Sequence, residues 1–289
     1  MCRFALYRGG PVPISSLVTK PSNSIINQSF HSQERKEPLN GDGFGLAWYA
    51  EGHPHPGSFR EVTPAWNSIN LAQLARVTTS PCVLAHVRAA TPGLAVHQLN
   101  CHPFTWKQFS FMHNGALGGF KSIRRRLLAS LDDEAFNMIK GTTDSEHLFA
   151  LFAQTYSRIE RDDSNELGRI KDALLAAIST AEGLRMEAGI EEESALNLAV
   201  SDGRRAVVSR YVSEPGEDGP SLYCHVGRSY VCTEGECHMV APDEDPPSAV
   251  IVASEPLSKD PGWDPVPPNH VVCIDEDFKC TMEPMDALR

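Results

Sequence analysis

A cysteine stands at position 2, directly after the initiator methionine, and an apolar run follows it. Chain ends are usually frayed, but the run Phe4-Ala5-Leu6-Tyr7 predicts a strand that would fix this end. Removal of Met1 would leave a thiol and a free α-amine on Cys2. The amine has a reference pKa of about 7.7–8.0 and the thiol of about 8.5, so a neutral amine can accept the thiol proton. One residue would then supply a nucleophile and its base; on position alone, the alternative is a chance cysteine in an edge strand.

Three further motifs carry residue types suited to binding or catalysis. AHVRAATPG ends a predicted strand with Arg88, whose guanidinium can hold a carboxylate bidentately. FMHNGALGG contains Asn114 and Gly115, and a side-chain amide beside an accessible backbone N–H suits an oxyanion. GTTDSEH places Asp144 at a helix start, where a carboxylate either caps the helix or binds an amine. In isolation, the ordinary explanations are a surface ion pair, a strand-to-turn Asn-Gly and a helix cap.

Together these residues indicate one type of reaction. The set contains a thiol with its own amine, a pair of oxyanion donors, a cation for a carboxylate and an anion for an ammonium group. Such a set fits cleavage of an amide on the side chain of a free α-amino acid. The γ-amide of glutamine, or another γ-glutamyl bond, matches best.

Composition limits the class of protein. The 289 residues are 41% hydrophobic, enough for the core of one large domain, and we expect a single domain over residues 2–289 after removal of Met1. The net charge of −11 argues against nucleic acid or an anionic membrane as partners. The sequence has neither an apolar run of about 18 residues nor a signal-peptide pattern, so we expect a cytoplasmic protein. In that reducing compartment its eight cysteines would remain thiols.

The elements that must position these residues follow from hydrophobic periodicity. Short apolar runs bounded by turn residues predict strands, here at 45–50, 81–89, 109–115, 221–227, 248–254 and 270–275, with a hairpin over 195–212 that turns at Asp202-Gly203. Helical spacing appears over 121–131, 143–160 and 166–183, and Thr143 and Glu146 stand in capping-box register. Strands, then helices, then strands, without βαβ alternation, predict an α+β layered fold.

The motifs MCRF, GDGFGLAWY, AHVRAAT, NCHPF, MHNG and TDSEH occur in this order. In that combination the chain resembles the class II glutamine amidotransferases, which are N-terminal nucleophile hydrolases. It is most similar to the stand-alone type, which includes the amidotransferase subunit of glutathione degradation and the γ-glutamyl amidohydrolase of the ergothioneine pathway. VIVASEPLSKDPGWDPVPPNH is also similar, so the resemblance covers nearly the whole chain. It implies a four-layer αββα sandwich.

The resemblance also implies roles for individual residues. Cys2 would be the nucleophile, its α-amine the general base, and Asn114 and Gly115 the oxyanion hole. The remaining positions would form the substrate-binding set: Arg88 for the α-carboxylate with Thr91 shaping its loop, Asp144 for the α-ammonium, and His86 and His102 lining the glutamyl pocket.

Two departures from the family leave the substrate open. Where glucosamine-6-phosphate synthase reads HTRWATHG, this chain has Ala89 and Pro92, so a roomier site would accept glutamine or a larger γ-glutamyl compound. We also expect no second domain that consumes ammonia. The enzyme therefore either hydrolyses the bond alone, or donates ammonia to a partner subunit, whether an ammonia acceptor or a peptidase-like protein. A non-catalytic scaffold is the third alternative, and homodimer formation is left open.

The remaining cysteines and histidines do not suggest a metal site. The Cys224-His225, Cys232 and Cys237-His238 positions lack the ligand spacing of known zinc sites. Two histidines separated by prolines in HPHP rarely suffice to hold an ion. We therefore expect no metal and no organic cofactor.

Overall fold

The computed structural model describes residues 2–34, 39–90, 96–161, 163–214, 216–233, 236–241 and 246–285. Thr91 lies outside these ranges. Within them the chain forms strands β1 (Arg3–Pro13), β2 (Phe44–Trp48), β3 (Gly57–Glu61), β4 (Thr79–Val87), β5 (Phe104–Trp106), β6 (Phe109–Ala116), β7 (Ala195–Ser201), β8 (Ala206–Val212), β9 (Tyr223–Gly227), β10 (Ser229–Thr233), β11 (Glu236–Val240), β12 (Ala249–Ala253), β13 (Trp263–Pro265), β14 (His270–Ile274) and β15 (Cys280–Pro284). The helices are α1 (Ser15–Val18), α2 (Ile25–Phe30), α3 (Ile69–Val77), α4 (Phe120–Ser130), α5 (Asp133–Met138), α6 (Asp144–Arg158) and α7 (Glu166–Glu187).

Two antiparallel sheets form the centre of the molecule. Sheet I has the order β13-β9-β12-β1-β4-β2-β3, and sheet II has the order β15-β14-β8-β7-β6-β5. Apolar residues of both sheets pack against each other in one buried cluster, which includes Phe4, Leu6 and Leu84 from sheet I and Met112 and Val208 from sheet II. The two sheets therefore lie face to face.

Helices cover the outer face of each sheet. α1, α2 and α3 contact β1 and β4 of sheet I, while α6 and α7 contact β6 and β8 of sheet II and α4 packs on α6 and α7. The apolar clusters under the two helical layers are separate from the cluster between the sheets. The α+β class and the four-layer αββα sandwich are confirmed.

Side-chain alternation along β1 determines which side chains point between the two sheets and which point toward the outer helices. Phe4 and Leu6 belong to the cluster between the sheets, whereas Ala5 and Tyr7 belong to the cluster under the outer helices. Since alternate residues of a strand point to opposite faces, Cys2 falls on the inner face and Arg3 on the outer one.

The predicted long helices and the hairpin are present. α6 begins after Thr143, whose hydroxyl accepts a hydrogen bond from the N–H of Glu146 at 3.3 Å. The Glu146 carboxylate does not complete the capping box, because it accepts from the N–H groups of Lys140 and Gly141 at 2.9 and 2.6 Å. The hairpin β7–β8 turns at Asp202-Gly203 as predicted, with Gly203 at φ +86°.

Two expectations need correction. Up to residue 115, in the first half of the chain, only strands and turns were predicted. This part also carries α1, α2 and α3, which span 4, 6 and 9 residues and are too short to show helical periodicity. The expectation that every cysteine is a thiol is wrong for Cys232 and Cys237, which form a disulfide. They lie directly opposite each other in the β10–β11 pair. Within the described ranges, no helix has the length and apolar character needed to cross a membrane.

Candidate active site

Cys2 lies at the edge of the space between the sheets. The register pairs Arg3 of β1 with Val87 of β4, so Cys2 comes opposite Arg88, immediately after β4. The Cys2 thiol is partly buried and lies 3.7 Å from the carbonyl oxygen of Ala89. The cysteine and the arginine singled out by the sequence are therefore neighbours across two strands.

Asn114 and Gly115 approach the same place from sheet II. Asn114 is fully buried, and its Nδ2 donates to the hydroxyl of Ser254 at 3.3 Å. That hydroxyl also accepts from the N–H of Phe4 at 3.0 Å, so one side chain joins Asn114 to the strand that follows Cys2. Gly115 has φ +144°, and a methyl group at this position would overlap the carbonyl oxygen of Ala195. Only glycine fits here.

Arg88 is a buried cation whose terminal nitrogens have no partner among the described residues. Arg88 is 3% exposed, and neither its Nη1 nor its Nη2 atom has a hydrogen-bond partner within the described part of the chain. The backbone, in contrast, is held on both sides: its N–H donates to Gly43 at 2.8 Å and its carbonyl accepts from Asp42 at 3.0 Å. The Asp42 carboxylate also accepts from the N–H of Ala90 at 2.8 Å. The strand end is fixed while the guanidinium is left available for a ligand.

Two buried histidines, His86 and His102, lie in contact with each other near Arg88. The rings of His86 and His102 lie 4.3 Å apart between centroids, and His86 Nε2 is 3.1 Å from the carbonyl oxygen of His113. Burial lowers the pKa of His86 to about 3, and the nearby Arg88 charge acts in the same direction. Burial also lowers the pKa of His102 well below its usual range. Both rings are therefore neutral at physiological pH.

Asp144 is linked to β6, which carries Asn114, through a chain of hydrogen bonds. One carboxylate oxygen accepts from the N–H of Leu117 at 2.9 Å, and the other accepts from the N–H and the hydroxyl of Ser145 at 2.8 and 3.3 Å. The Ser145 hydroxyl lies 2.9 Å from His113 Nδ1, next to Asn114 in β6. Asp144 caps no helix, since Thr143 holds that place. It lines an open cleft of about 620 Å³ whose lining residues do not include Cys2, Arg88 or Asn114.

Several residues of the site had no clear signal in the sequence. Asp42 and Gly43 lie in the GDGFGLAWY motif, in which no individual residue was given a role. His113 was quoted beside Asn114 without a role. Ser254 belongs to the VIVASEPL segment, but its link to Asn114 spans 140 positions and leaves no local pattern.

The C-terminal cysteines and histidines do not converge on an ion site. Cys224 and Cys280 lie with their sulfur atoms 3.7 Å apart, Cys232 and Cys237 form the disulfide, and His225 is 3.8 Å from Asp260. In the part of the chain that the structure covers, no group of three or more His, Cys, Asp or Glu residues is arranged to hold a metal ion.

Comparison with known proteins gives relatives that match nearly the whole chain. The chain is 42% identical to a probable glutamine amidotransferase, DUG3, of Saccharomyces cerevisiae. The match covers 95% of this chain and 82% of the relative. It is 26% identical to a gamma-glutamyl-hercynylcysteine sulfoxide hydrolase of Mycolicibacterium smegmatis, with 95% and 96% covered.

Solved structures agree in fold. A glutamine aminotransferase class-II domain protein from Silicibacter pomeroyi superposes with a TM-score of 0.66 at 26% identity, covering 98% of this chain and 99% of that one. The glutamine phosphoribosylpyrophosphate amidotransferase of Bacillus subtilis superposes with a TM-score of 0.61 at 14% identity, covering 99% of this chain and 49% of that one, and this likeness concerns the fold alone. The family described as "Glutamine amidotransferases class-II" matches residues 17–285. The chain belongs to the class II glutamine amidotransferases.

Proposed function

We propose that this enzyme hydrolyses a γ-glutamyl amide bond through a thioester on Cys2 and releases glutamate. The observation that carries the proposal is Arg88: a buried guanidinium whose two terminal nitrogens have no hydrogen-bond partner among the described residues, next to the Arg3–Val87 strand pair at the end where Cys2 lies. Leaving a buried charge without a partner is costly. A substrate α-carboxylate would supply that partner through two charge-assisted hydrogen bonds.

The reaction follows from the neighbours of Cys2. After removal of Met1, the neutral α-amine takes the thiol proton, and the sulfur attacks the γ-carbonyl carbon. The tetrahedral oxyanion accepts hydrogen bonds from Asn114 Nδ2 and the Gly115 N–H. As the carbon–nitrogen bond breaks, the ammonium returns its proton to the leaving nitrogen. Water, activated by the same amine, then cleaves the thioester.

The glutamyl group is held at its α end. In this proposal Arg88 binds the α-carboxylate and Asp144 the α-ammonium, while the neutral rings of His86 and His102 form an uncharged wall. Thr91, outside the described residues, remains a prediction. The Asp144 carboxylate already accepts three hydrogen bonds, which fix its orientation toward an incoming cation.

The proposal also covers the candidate substrates, the domain organisation and the cellular location. A hydrolase and an amidotransferase among the relatives support both glutamine and larger γ-glutamyl compounds as candidates. We infer a single domain over residues 2–289, located in the cytoplasm. Transfer of ammonia to a partner subunit is the second candidate, favoured by the name of the yeast relative.

The test is glutamate release by the purified protein with Met1 removed, using glutamine and a panel of γ-glutamyl amides. Cys2→Ala should abolish release, and Arg88→Gln should reduce it strongly. Arg204→Gln, at a side chain that is 75% exposed, is the matched control and should behave as wild type. A form that retains Met1 should be inactive with its thiol intact. Activity in the Cys2→Ala protein would refute the proposal.

A partner is tested separately. If glutamate release needs a second protein, or if ammonia from amide-labelled glutamine appears in an acceptor rather than in solution, the subunit role is supported. Full activity alone, with all ammonia free, supports simple hydrolysis. No release under either condition would leave the scaffold as the remaining alternative.

A further inference from the structure

We propose that Ser254 and Glu255, directly after β12, are positioning residues for two groups of the site. Ser254 orients the Asn114 amide, and Glu255, acting through Arg3, holds Cys2. This inference rests on the proposed function. Neither residue touches the substrate in the proposed reaction. They follow a strand that pairs with β1 on the side opposite β4.

Ser254 is fixed before it orients anything else. Its N–H donates to the carbonyl of Phe4 at 2.9 Å, and its own carbonyl accepts from the hydroxyl of Ser221 at 2.8 Å. Its hydroxyl accepts from the N–H of Phe4 at 3.0 Å and from Asn114 Nδ2 at 3.3 Å. The strand that carries Cys2 and the amide opposite it thus meet at one oxygen atom.

That contact holds the amide of Asn114 in place. The terminal torsion of an asparagine side chain is broad and has no strong intrinsic preference. The Oδ1 atom of Asn114 has no hydrogen-bond partner in the described ranges. One N–H of Nδ2 is committed to Ser254, so the second N–H has a defined direction. A donor that is already oriented needs no reorganisation when the oxyanion forms.

Glu255 accepts hydrogen bonds from three other segments, one of them through Asn23 Nδ2 at 3.5 Å. Its residue is fully buried, and its carboxylate accepts from Arg3 Nε at 2.6 Å, from the N–H groups of Gln33 and Glu34 at 2.9 and 3.3 Å, and from the Ser32 hydroxyl. Burial opposes ionisation, but these hydrogen bonds and the Arg3 charge outweigh it, so the pKa of Glu255 is lowered. The carboxylate is therefore ionised and fixes the Arg3 side chain.

Arg3 passes this constraint to the nucleophile residue. Its Nη1 donates to the carbonyl oxygen of Cys2 at 3.0 Å. With that oxygen held by Arg3 and both backbone groups of Phe4 held by Ser254, the chain is fixed up to the Cys2 α-carbon, which bears the thiol and the α-amine. Glu255 also neutralises the Arg3 charge beside that amine. Without the carboxylate, the cation would disfavour the ammonium form and lower the pKa of the amine.

The Ser254 half is tested by separating kcat from KM. Ser254→Ala should lower kcat about 100-fold with KM nearly unchanged, the pattern of lost oxyanion stabilisation. Ser254→Thr keeps the hydroxyl and should recover most of the activity. Ser209→Ala removes another buried serine hydroxyl, one that bridges β7 and β8, and should lower stability without lowering kcat per active site. An unchanged kcat in Ser254→Ala would overturn this half.

The Glu255 half is tested by the pH profile. Glu255→Gln should move the acid limb of kcat/KM to lower pH by about one unit, as expected for one uncompensated charge several ångströms from the amine. Glu134→Gln, which breaks an exposed ion pair with Lys107, should leave the profile unmoved. A loss of activity in Glu255→Gln without any shift would indicate a purely structural role and overturn the proposal.

A second readout does not require a substrate. The rate at which iodoacetamide alkylates Cys2, followed by peptide mass spectrometry across pH, should show the same shift in Glu255→Gln. If wild-type protein releases no glutamate but the alkylation profile still shifts, the proposed function fails while the positioning of Cys2 by Glu255 stands. If glutamate is released and neither profile shifts, the positioning fails alone.

Discussion

Arg3 and Arg88 are two buried arginines at the same end of sheet I, on opposite faces. Arg3 is 1% exposed and Arg88 is 3% exposed, so both cations are removed from water to a similar extent. Arg3 has a carboxylate at 2.6 Å and a backbone carbonyl at 3.0 Å. Arg88 has neither on its terminal nitrogens within the described residues.

The difference separates a structural cation from a ligand-binding one. Burying an ion is tolerated when an opposite charge and hydrogen bonds compensate for the lost water. Arg3 meets that condition inside the protein, and we infer that Arg88 meets it when substrate is bound. On this basis, substitution of Arg3 acts mainly on stability and substitution of Arg88 mainly on activity.

The largest expected effect is on the paired side. Arg3→Met leaves the Glu255 carboxylate buried without its cation and should lower the free energy of unfolding by about 3–5 kcal/mol. The double variant Arg3→Met/Glu255→Leu removes both charges and should be more stable than the single one. Urea unfolding measures both. Equal stability of Arg3→Met and wild type would contradict the distinction between the two arginines.

The opposite pattern is expected at Arg88. Arg88→Gln should lower kcat/KM about 100- to 1000-fold, since two charge-assisted hydrogen bonds to the substrate are lost. Its free energy of unfolding should stay equal to wild type or rise, because the buried charge that is removed has no partner on its terminal nitrogens among the described residues. Steady-state kinetics and urea unfolding on one preparation give both numbers. A destabilised Arg88→Gln protein with normal kinetics would reverse the assignment.

As the pH falls, stability should be lost first through His86 and then, at lower pH, through Glu255. His86 has a folded pKa of about 3 against about 6.5 when unfolded. Between these values the unfolded chain binds more protons, so stability is full above about pH 6.5 and falls by about 1.4 kcal/mol per pH unit for this residue as pH decreases. The pKa of Glu255 is lowered because hydrogen bonds and the Arg3 charge stabilise its carboxylate. Its contribution to stability therefore persists down to about pH 4.5 and is lost below that pH.

Unfolding free energies at pH 7, 6 and 5 test this order. His86→Gln should reduce the slope, whereas His53→Gln, at an exposed loop position, should leave it unchanged. The same slope in His86→Gln and wild type would show that the histidine is not kept neutral by burial.

The smallest effect concerns one donor in the Glu255 cluster. Ser32→Ala removes a hydroxyl that donates to the carboxylate, while Arg3 and two backbone N–H groups remain as donors. We expect a loss of about 1 kcal/mol in unfolding free energy. Ser130→Ala, at an exposed helix position, should stay within about 0.5 kcal/mol of wild type. If Ser32→Ala is as stable as Ser130→Ala, the Ser32 hydroxyl does not contribute to stability.

Features set by local pattern were predictable from the sequence. Apolar runs located β4 and β6, helical spacing located α6 and α7, and Asp202-Gly203 located the hairpin turn. Cys2, Arg88 and Asn114 were named as candidates from residue type and place, and the structure brings them to one end of the sheets. Their catalytic roles remain predictions.

Features set by distant contacts were not predictable in this way. Glu255 lies 252 positions from Arg3, and neither residue has a local pattern that announces the pair. Glu146 showed a capping-box spacing, but nearby N–H groups of the preceding loop took its carboxylate. The opposition of Cys232 and Cys237 became visible only once the strand register was known.

Two of the groups that bind Glu255 are backbone N–H groups, those of Gln33 and Glu34. Every amino acid except proline provides such a group, so these bonds do not depend on which side chain stands in the loop. A saturation mutagenesis scan should therefore be asymmetric. Position 255 should accept almost no substitution, while position 33 should accept nearly all of them and reject proline.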